Sequence, residues 1–211
     1  MKGIFLTNFY ATKKQFIIYF IISIVATFVF SFINPVMSCF LPMMFLLSPV
    51  SDNIKQEKES HWMHYVATLP NGRKGYVNSY FTFVIISVII GLILGMIAIL
   101  VMHQSIGLAL LAILFGIGSV GIYSLIFPFT FKFGPENSNS ILIIVTIILM
   151  IAFFGVYFLT IQPAFIRAES FTGVVHDTTA LISVIGFGIV GIIVLLASYF
   201  FSLSIIKKQE L

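Results

Sequence analysis

The sequence has few charged residues and a single cysteine. Of its 211 residues, 9% are charged and 60% are hydrophobic, whereas a soluble domain carries about 25% charged residues. This scarcity of charge excludes a soluble globular protein. Because Cys39 is the only cysteine, an intrachain disulfide is also excluded, and we expect this residue to pack as a small apolar side chain.

Ionisable residues are absent from the interiors of the apolar runs. Ion-coupled carriers usually place such groups near the middle of the membrane, so the chain offers none of its own for coupling to an ion gradient. It also lacks a Walker A sequence and the motifs of zinc and serine hydrolases. We therefore expect no catalytic residues, no metal and no cofactor in this chain.

Apolar runs long enough to cross a membrane recur along the sequence. A crossing helix needs about 20 residues, and the polar–apolar alternation of barrel strands is missing. The sequence thus predicts an all-α membrane protein with six transmembrane helices. The expected spans are residues 16–33, 36–50, 80–102, 106–127, 141–162 and 181–206.

The basic residues predict the orientation of these spans. Of the 11 Lys and Arg residues, only Arg167 falls on the outer side of the predicted topology. The positive-inside rule therefore predicts that both termini are cytoplasmic. The net charge of +4 fits contact with anionic lipid headgroups, and we expect no nucleic-acid partner.

A polar segment, residues 51–78, separates spans two and three. Within it, residues 55–69 are predicted to form a short amphipathic helix, and Pro70-Asn71-Gly72 predicts a turn after it. Arg73 and Lys74 follow at the membrane surface. The helix would have one apolar face, made by Trp62, Tyr65, Val66 and Leu69.

The N-terminal segment is also amphipathic. Phe5 and Phe9 share a helical face, and Lys13 and Lys14 stand beside the expected headgroups, as in a helix that lies in the membrane interface. We therefore divide the chain into an interfacial helix, residues 1–15, and a six-helix domain, residues 16–211, with an outer loop at 163–180.

Two Gly-x-Gly-x-x-Gly strings, residues 116–121 and 186–191, lie inside apolar runs. A dinucleotide site would require a preceding strand and a following helix. We interpret the glycines instead as small residues that let membrane helices approach closely.

Over nearly its whole length the sequence resembles the permease subunits of type II ATP-binding-cassette (ABC) exporters, in the subgroup of the phenol-soluble modulin exporter permeases. Three motifs carry the resemblance: an acidic helix leading to Trp62 and "LPNGRK" at 69–74, "NFYATKKQ" at 8–15, and "FPFTFKFG" at 127–134. Asn8 stands where the family usually has Asp, and "PENSNS" at 135–140 lacks the basic residues that often follow there.

The resemblance implies an N-terminal elbow helix and a coupling helix seated in a groove of a separate ABC ATPase, which would bind ATP and Mg. It also implies pairing with a second permease copy or a sister permease, as a homodimer or heterodimer, in the plasma membrane of a bacterium. Carried onto this chain, the ATPase-coupling residues would be Glu57, Trp62, Leu69, Pro70, Arg73 and Lys74.

The resemblance further implies that spans one, two and five line the translocation path. In span two, Pro42 predicts a kink, whereas Met43 and Met44 offer an adaptable apolar wall. Membrane helices also tolerate proline without a gating role. The expected function is that of a transmembrane permease subunit of an ATP-driven exporter that moves amphipathic or hydrophobic peptides out of the cell.

Two alternatives come from other classes. The chain could be the substrate-binding membrane subunit of a vitamin importer, which would hold a small ligand in a pocket with convergent polar groups. It could also be a membrane protein that confers immunity to a toxin. Copurification of an ATPase distinguishes the exporter from the immunity protein, and a tightly bound small molecule would favour the importer.

Overall fold

The fold was analysed in a computed structural model that describes residues 2–60 and 62–208, with side chains described except at residues 2, 55–60, 63, 64, 67 and 135. In this part of the chain, all regular structure is helical. The α-helices are α1 (Lys2–Ile33), α2 (Met37–Ser60), α3 (Trp62–Ala67), α4 (Gly72–His103), α5 (Ile106–Tyr123), α6 (Ile126–Phe133), α7 (Ser138–Val156), α8 (Gln162–Ala168), α9 (Phe171–Val174) and α10 (Thr178–Lys208).

Five helical segments of the described residues are long and apolar enough to cross a membrane. They are Gly3–Ile33, Gly72–His103, Ile106–Phe133, Ser138–Ala168 and Thr178–Lys208. The chain is therefore a multi-pass helical membrane protein. Helix α2 is not among the five, because its apolar first half continues into a polar second half, so the predicted second span stays a prediction.

The helices extend beyond the predicted spans. Helix α1 has no break at residue 15, where we expected an interfacial helix to end, because neither Gly nor Pro separates the two segments. Helix α2 continues through Pro42 and Pro49 to Ser60. A proline costs a helix one backbone hydrogen bond, and neighbouring helices on three sides, α1, α4 and α5, hold α2 together.

Proline residues do divide two of the predicted spans. Helix α5 ends at Tyr123 and α6 starts at Ile126, because the ring of Pro128 clashes with the carbonyl four residues earlier, at Ser124. Likewise, Tyr157–Ile161 forms a π-helical turn between α7 and α8, directly before Pro163. Such turns insert an extra residue into a helix.

Helix α5 lies at the centre of the bundle, where it packs against α2, α4, α7 and α10. At Gly121, an added Cβ would overlap the backbone of Gly191, and at Gly191 it would overlap the backbone of Gly118. The glycine strings thus let α5 and α10 touch through their backbones, which confirms the packing interpretation. Gly91 and Gly95 play the same part where α4 meets α2.

Helix α1 presents polar residues to the bundle. Its buried face carries Asn8, Thr12, Ser23, Thr27 and Ser31, each less than 9% exposed. The hydroxyl of Ser23 donates to the Tyr19 carbonyl within α1 at 2.7 Å and also lies 3.3 Å from the Pro42 carbonyl of α2. Most of its remaining surface is apolar and exposed, as at Ile21 and Val25.

Polar contacts distinguish the two ends of the bundle. At the hairpin end, defined by the connection between α2 and α4, Asn8 binds Ser79 and Tyr199 binds Asn78. At the opposite end, Asn34 donates to the Tyr157 hydroxyl at 2.7 Å. There the outer loop also contains an ion pair between Arg167 and Asp177, at 2.7 Å.

Candidate functional site

The connection between α2 and α4, residues 51–78, is the candidate site. Residues 55–60 belong to the end of α2, so no separate helix begins at residue 55. Helix α3 covers Trp62–Ala67, and because His61 between the two lies outside the described residues, a coupling helix over 55–69 stays a prediction. The stretch before Trp62 contains no Gly or Pro, so nothing in it stops α2 earlier. His61 and the side chain of Glu57, one of the predicted coupling residues, lie outside the described residues.

A tight turn joins α3 to α4, as the Pro70-Asn71-Gly72 pattern predicted. Asn71 adopts the left-handed conformation with φ 58, and the Gly72 amide donates to the Leu69 carbonyl at 2.9 Å. A Cβ at Gly72 would overlap the carbonyl of Val66. Glycine is therefore required here, and the close contact fixes the direction of α3 against the start of α4.

The predicted apolar face of α3 is divided between the protein interior and the surface. Val66 is only 1% exposed, and Trp62 packs against the buried core. By contrast, Tyr65 is 57% exposed and Leu69 is 36% exposed. The Tyr65 ring lies 5.4 Å from the Trp62 ring, centroid to centroid, so the exposed aromatic ring is supported by the half-buried one.

The other predicted coupling residues surround this exposed pair. Pro70 and Lys74 are exposed, and Arg73 is half-buried at the first turn of α4. The connection thus presents a tyrosine, a leucine, a proline and basic side chains on a backbone held by its own turn. Such a surface suits contact with another protein, since a rigid aromatic anchor loses little entropy on binding.

Sequence reasoning missed the polar contacts beneath the connection. Asn53 on α2 donates to the Tyr80 hydroxyl of α4 at 2.9 Å, and Ser51 shares a 2.9 Å hydrogen bond with Tyr123 of α5. These buried bonds join the connection to the centre of the bundle. Their sequence signal was the run of three polar residues at 51–53 directly after an apolar run.

The two predicted interfacial phenylalanines pack within the chain. The rings of Phe5 and Phe9 lie 6.2 and 6.3 Å from the ring of Phe83 on α4. They therefore fasten α1 to α4 in this structure, whereas Lys13 and Lys14 are exposed. An interfacial role for the two lysines stays a prediction.

The residues predicted to line the path are mostly internal to one chain. Met43 is fully buried and fits between Gly91 of α4 and Gly116 of α5. Pro42 is buried beside α1, and Met44 is half-buried. In this structure Met43 is thus a packing residue, and Met44 is the more exposed of the two methionines.

Two spaces of different character lie near the hairpin end. The first, between Asn8, Thr12 and Asn53, has a volume of about 10 Å³, which is room for a single water molecule. The second is an open groove of about 590 Å³ between α4 and α10. Its walls are mainly apolar, and it opens toward the outside of the bundle.

These features define a class: a multi-pass helical membrane protein with a connecting hairpin that ends in a tight turn and carries exposed apolar and basic residues. The chain matches the ABC-2 family transporter protein over residues 3–207 and belongs to that family. No curated protein and no solved structure shows significant similarity to it. The chain is therefore a membrane permease subunit of an ABC transporter, and the family implies association with an ABC ATPase subunit.

Proposed function

We propose that this permease subunit exports amphipathic or hydrophobic peptides and that the connection between α2 and α4 is its docking site for the ATPase. In this proposal the hairpin end faces the cytoplasm, because all described Lys and Arg residues except Arg167 belong to it or to its flanking loops. Helix α2 is the second of six spans, since its apolar half packs among α1, α4 and α5.

One observation carries the docking proposal. Tyr65 and Leu69 are exposed on a backbone that the buried Val66 and the close contact at Gly72 position at the start of α4. Exposed apolar side chains are typical of surfaces that another protein covers. A loop that already has its bound conformation loses little conformational entropy on binding. Since the family implies an ABC ATPase partner, we assign this pair to the groove of that subunit.

The buried hydrogen bonds beneath the hairpin provide the mechanical route. A movement of the docked hairpin would pull on Asn53 and Ser51, and through them on Tyr80 of α4 and Tyr123 of α5. Helix α5 in turn packs its backbone against α10. ATP-driven motion would therefore reach the centre of the bundle through hydrogen-bonded and tightly packed contacts, which change between discrete arrangements.

The composition of the spans supports an apolar substrate. The chain contains 24 Phe and 8 Met residues, and the apolar runs carry no ionisable residue in their interiors. Such walls fit amphipathic or hydrophobic peptides better than ions or sugars. We further propose that a second permease, identical or sister, covers the exposed apolar face of α1, which includes Ile21 and Val25.

The vitamin-importer alternative is less well supported by the geometry. A small-molecule site usually has a volume of about 300–1,000 Å³ with convergent polar groups. The space between Asn8, Thr12 and Asn53 has polar groups but a volume of only about 10 Å³. The groove of about 590 Å³ between α4 and α10 is large enough, but its walls are mainly apolar and it is open along its side, so it does not enclose a polar small molecule.

The docking proposal can be tested by affinity purification of the permease from native membranes, with mass spectrometry of the copurified proteins. We expect an ABC ATPase with the wild type and at least a tenfold lower yield of it with the double variant Tyr65→Asp/Leu69→Asp, since a buried carboxylate costs several kcal/mol unless it is paired. Trp62→Asp is a poorer test, because Trp62 also packs against the core.

Phe133→Asp provides the matched control. Phe133 is 54% exposed at the end of α6, so this variant places one new carboxylate, against two in the double variant, on an exposed apolar position at the same end of the bundle. We expect it to retain the ATPase. The docking proposal fails if the double variant retains the ATPase as the wild type does, or if Phe133→Asp loses it equally.

A further inference from the structure

The open groove between α4 and α10 has features of a lipid site. Its walls are mainly apolar, and the side chains of Ile85 and Leu196 at its rim are 50% and 53% exposed. Phe81 forms a buried part of the wall, and Phe5 of α1 closes one side. The groove therefore offers a slot for an acyl chain that is continuous with the apolar outer surface of the bundle.

A polar group stands at the end of this slot nearest the hairpin. The hydroxyl of Tyr199 donates to Oδ1 of Asn78 at 2.9 Å, so the Asn78 amide is held by its acceptor oxygen. Its Nδ2 has two N–H donors, and among the described residues no partner is found for them. Because Asn78 is half-buried and lines the groove, these donors can reach an ester or phosphate oxygen.

Basic residues lie on the same helix faces, beyond the polar group. Lys74 precedes Asn78 by about one turn and Phe81 by about two turns, so it shares their face of α4. On α10, Lys207 follows Leu196 by about three turns and therefore shares the face of Leu196. Both lysines are exposed, and among the described residues neither has a carboxylate partner.

The order along the groove is thus positive charge, amide donors and apolar slot. A glycerophospholipid with an anionic headgroup presents the complementary order of phosphate, ester oxygens and acyl chains. From Asn78 to Ile85 the slot extends about 10 Å along α4, which matches the upper part of one acyl chain. The positive residues select an anionic headgroup over a zwitterionic one, because each contributes about 1 kcal/mol to attraction by acidic lipids.

We propose that the groove between α4 and α10 binds one anionic phospholipid, with its acyl chain along Phe81 and Ile85, its ester region at Asn78 and its headgroup at Lys74 and Lys207. This proposal does not depend on peptide export or on the docking of an ATPase. A lipid held here would bridge the first turn of α4, directly after the hairpin, to the last turns of α10.

Native mass spectrometry of the purified full chain tests the proposal. The detergent-solubilised protein is mixed with equal amounts of dioleoyl phosphatidylglycerol and dioleoyl phosphatidylcholine. After release from the detergent, the mass of the complex shows which lipids are bound and how many. We expect the wild type to retain one phosphatidylglycerol preferentially. Lys74→Glu should lower the ratio of phosphatidylglycerol to phosphatidylcholine by about fivefold or more, since it replaces an attraction by a repulsion.

Lys132→Glu is the matched control for charge. Lys132 is exposed at the hairpin end but lies outside the groove, with its Nζ 5.3 Å from the centroid of the Phe133 ring. It should leave the lipid ratio unchanged. A second variant, Thr82→Trp, fills the groove without changing charge, and we expect it to lower the retention of both lipids.

Three results would overturn the proposal. One is equal retention of the two lipids by the wild type, and another is an equal effect of Lys74→Glu and Lys132→Glu. The third is that the species bound to the wild type and lost in Thr82→Trp has the mass of a peptide or of a second copy of the chain rather than that of a lipid. Thermal unfolding of each variant verifies that a lost lipid does not reflect a lost fold.

Discussion

Helices α1 and α5 are both long and apolar, yet they are held in the bundle by different means. In the most apolar stretch of 18 residues in the α5–α6 segment, 72% of the residues are buried. In the corresponding stretch of α1, only 17% of the residues are buried. Helix α5 touches its neighbours through glycine backbones and aromatic rings, whereas α1 is attached through hydroxyl groups and the aromatic rings of its first turns.

The difference indicates which part of the molecule is fixed and which part remains available to partners. Inside a membrane, apolar burial between helices gains little over contact with lipid, so close packing provides the stability. Helix α5 has that packing and forms the fixed centre. Helix α1 packs closely along α2 on one side, but it leaves its opposite, apolar side to lipid or to a second permease.

The largest effect is expected where α5 meets α10. Gly121→Leu would drive a side chain into the backbone of Gly191, and backbone cannot yield as a flexible side chain does. We expect loss of the folded protein, measured as loss of the monodisperse peak in detergent gel filtration. Gly155→Leu is the control, since in the described part of the chain no atom lies within 4 Å of its Cβ position, and a normal peak is expected.

An intermediate effect is expected from the aromatic rings around α5. Phe115 is fully buried, with its ring centroid 4.7 Å from that of Phe153 and 5.3 Å from that of Phe187. Phe115→Ala should destabilise the protein by about 3 kcal/mol through the cavity it leaves. On α1, Phe28 is 39% exposed, and Phe28→Ala should change the stability by at most about 0.5 kcal/mol. Equal losses of thermal stability in the two variants would remove the contrast between the helices.

The smallest effects are expected at the polar face of α1. The Ser23 hydroxyl shares its hydrogen between the Tyr19 carbonyl of α1, at 2.7 Å, and the Pro42 carbonyl of α2, at 3.3 Å. Ser23→Ala removes both contacts and should cost about 0.6 kcal/mol, the average for such bonds in a membrane protein. The buried hydroxyl of Ser31 has no partner among the described residues, and an unsatisfied hydroxyl costs about 1–3 kcal/mol. Ser31→Ala should therefore be neutral or stabilising. Thermal unfolding should then rank Ser31→Ala above the wild type and Ser23→Ala below it, and the reverse order would contradict the account.

The helical membrane class could be predicted from the sequence because long apolar runs leave the backbone no other way to satisfy its hydrogen bonds. Helix boundaries were predicted less well. The break before Pro128 was missed because the apolar run continues through it, and the passage of α2 through Pro49 depends on neighbouring helices that the sequence does not reveal.

The candidate site divides in the same way. The turn at Pro70-Asn71-Gly72 was predicted because its residues have local conformational preferences. The burial of Val66 and the exposure of Tyr65 could not be predicted, since both belong to one apolar helical face and the contact with α4 separates them. The groove at Asn78 and Tyr199 joins residues 121 positions apart, and no local pattern brings them together.

The most direct test of the docking proposal is site-specific cross-linking from the hairpin. Cys39 is buried and is the only native cysteine, so a thiol-reactive photocrosslinker should attach selectively to Leu69→Cys. Thr172→Cys, at an exposed position of α9 at the opposite end, is the matched control. We expect an adduct with the ABC ATPase from Leu69→Cys alone. The absence of that adduct in membranes that contain the ATPase, or an equal adduct from Thr172→Cys, would contradict the docking proposal.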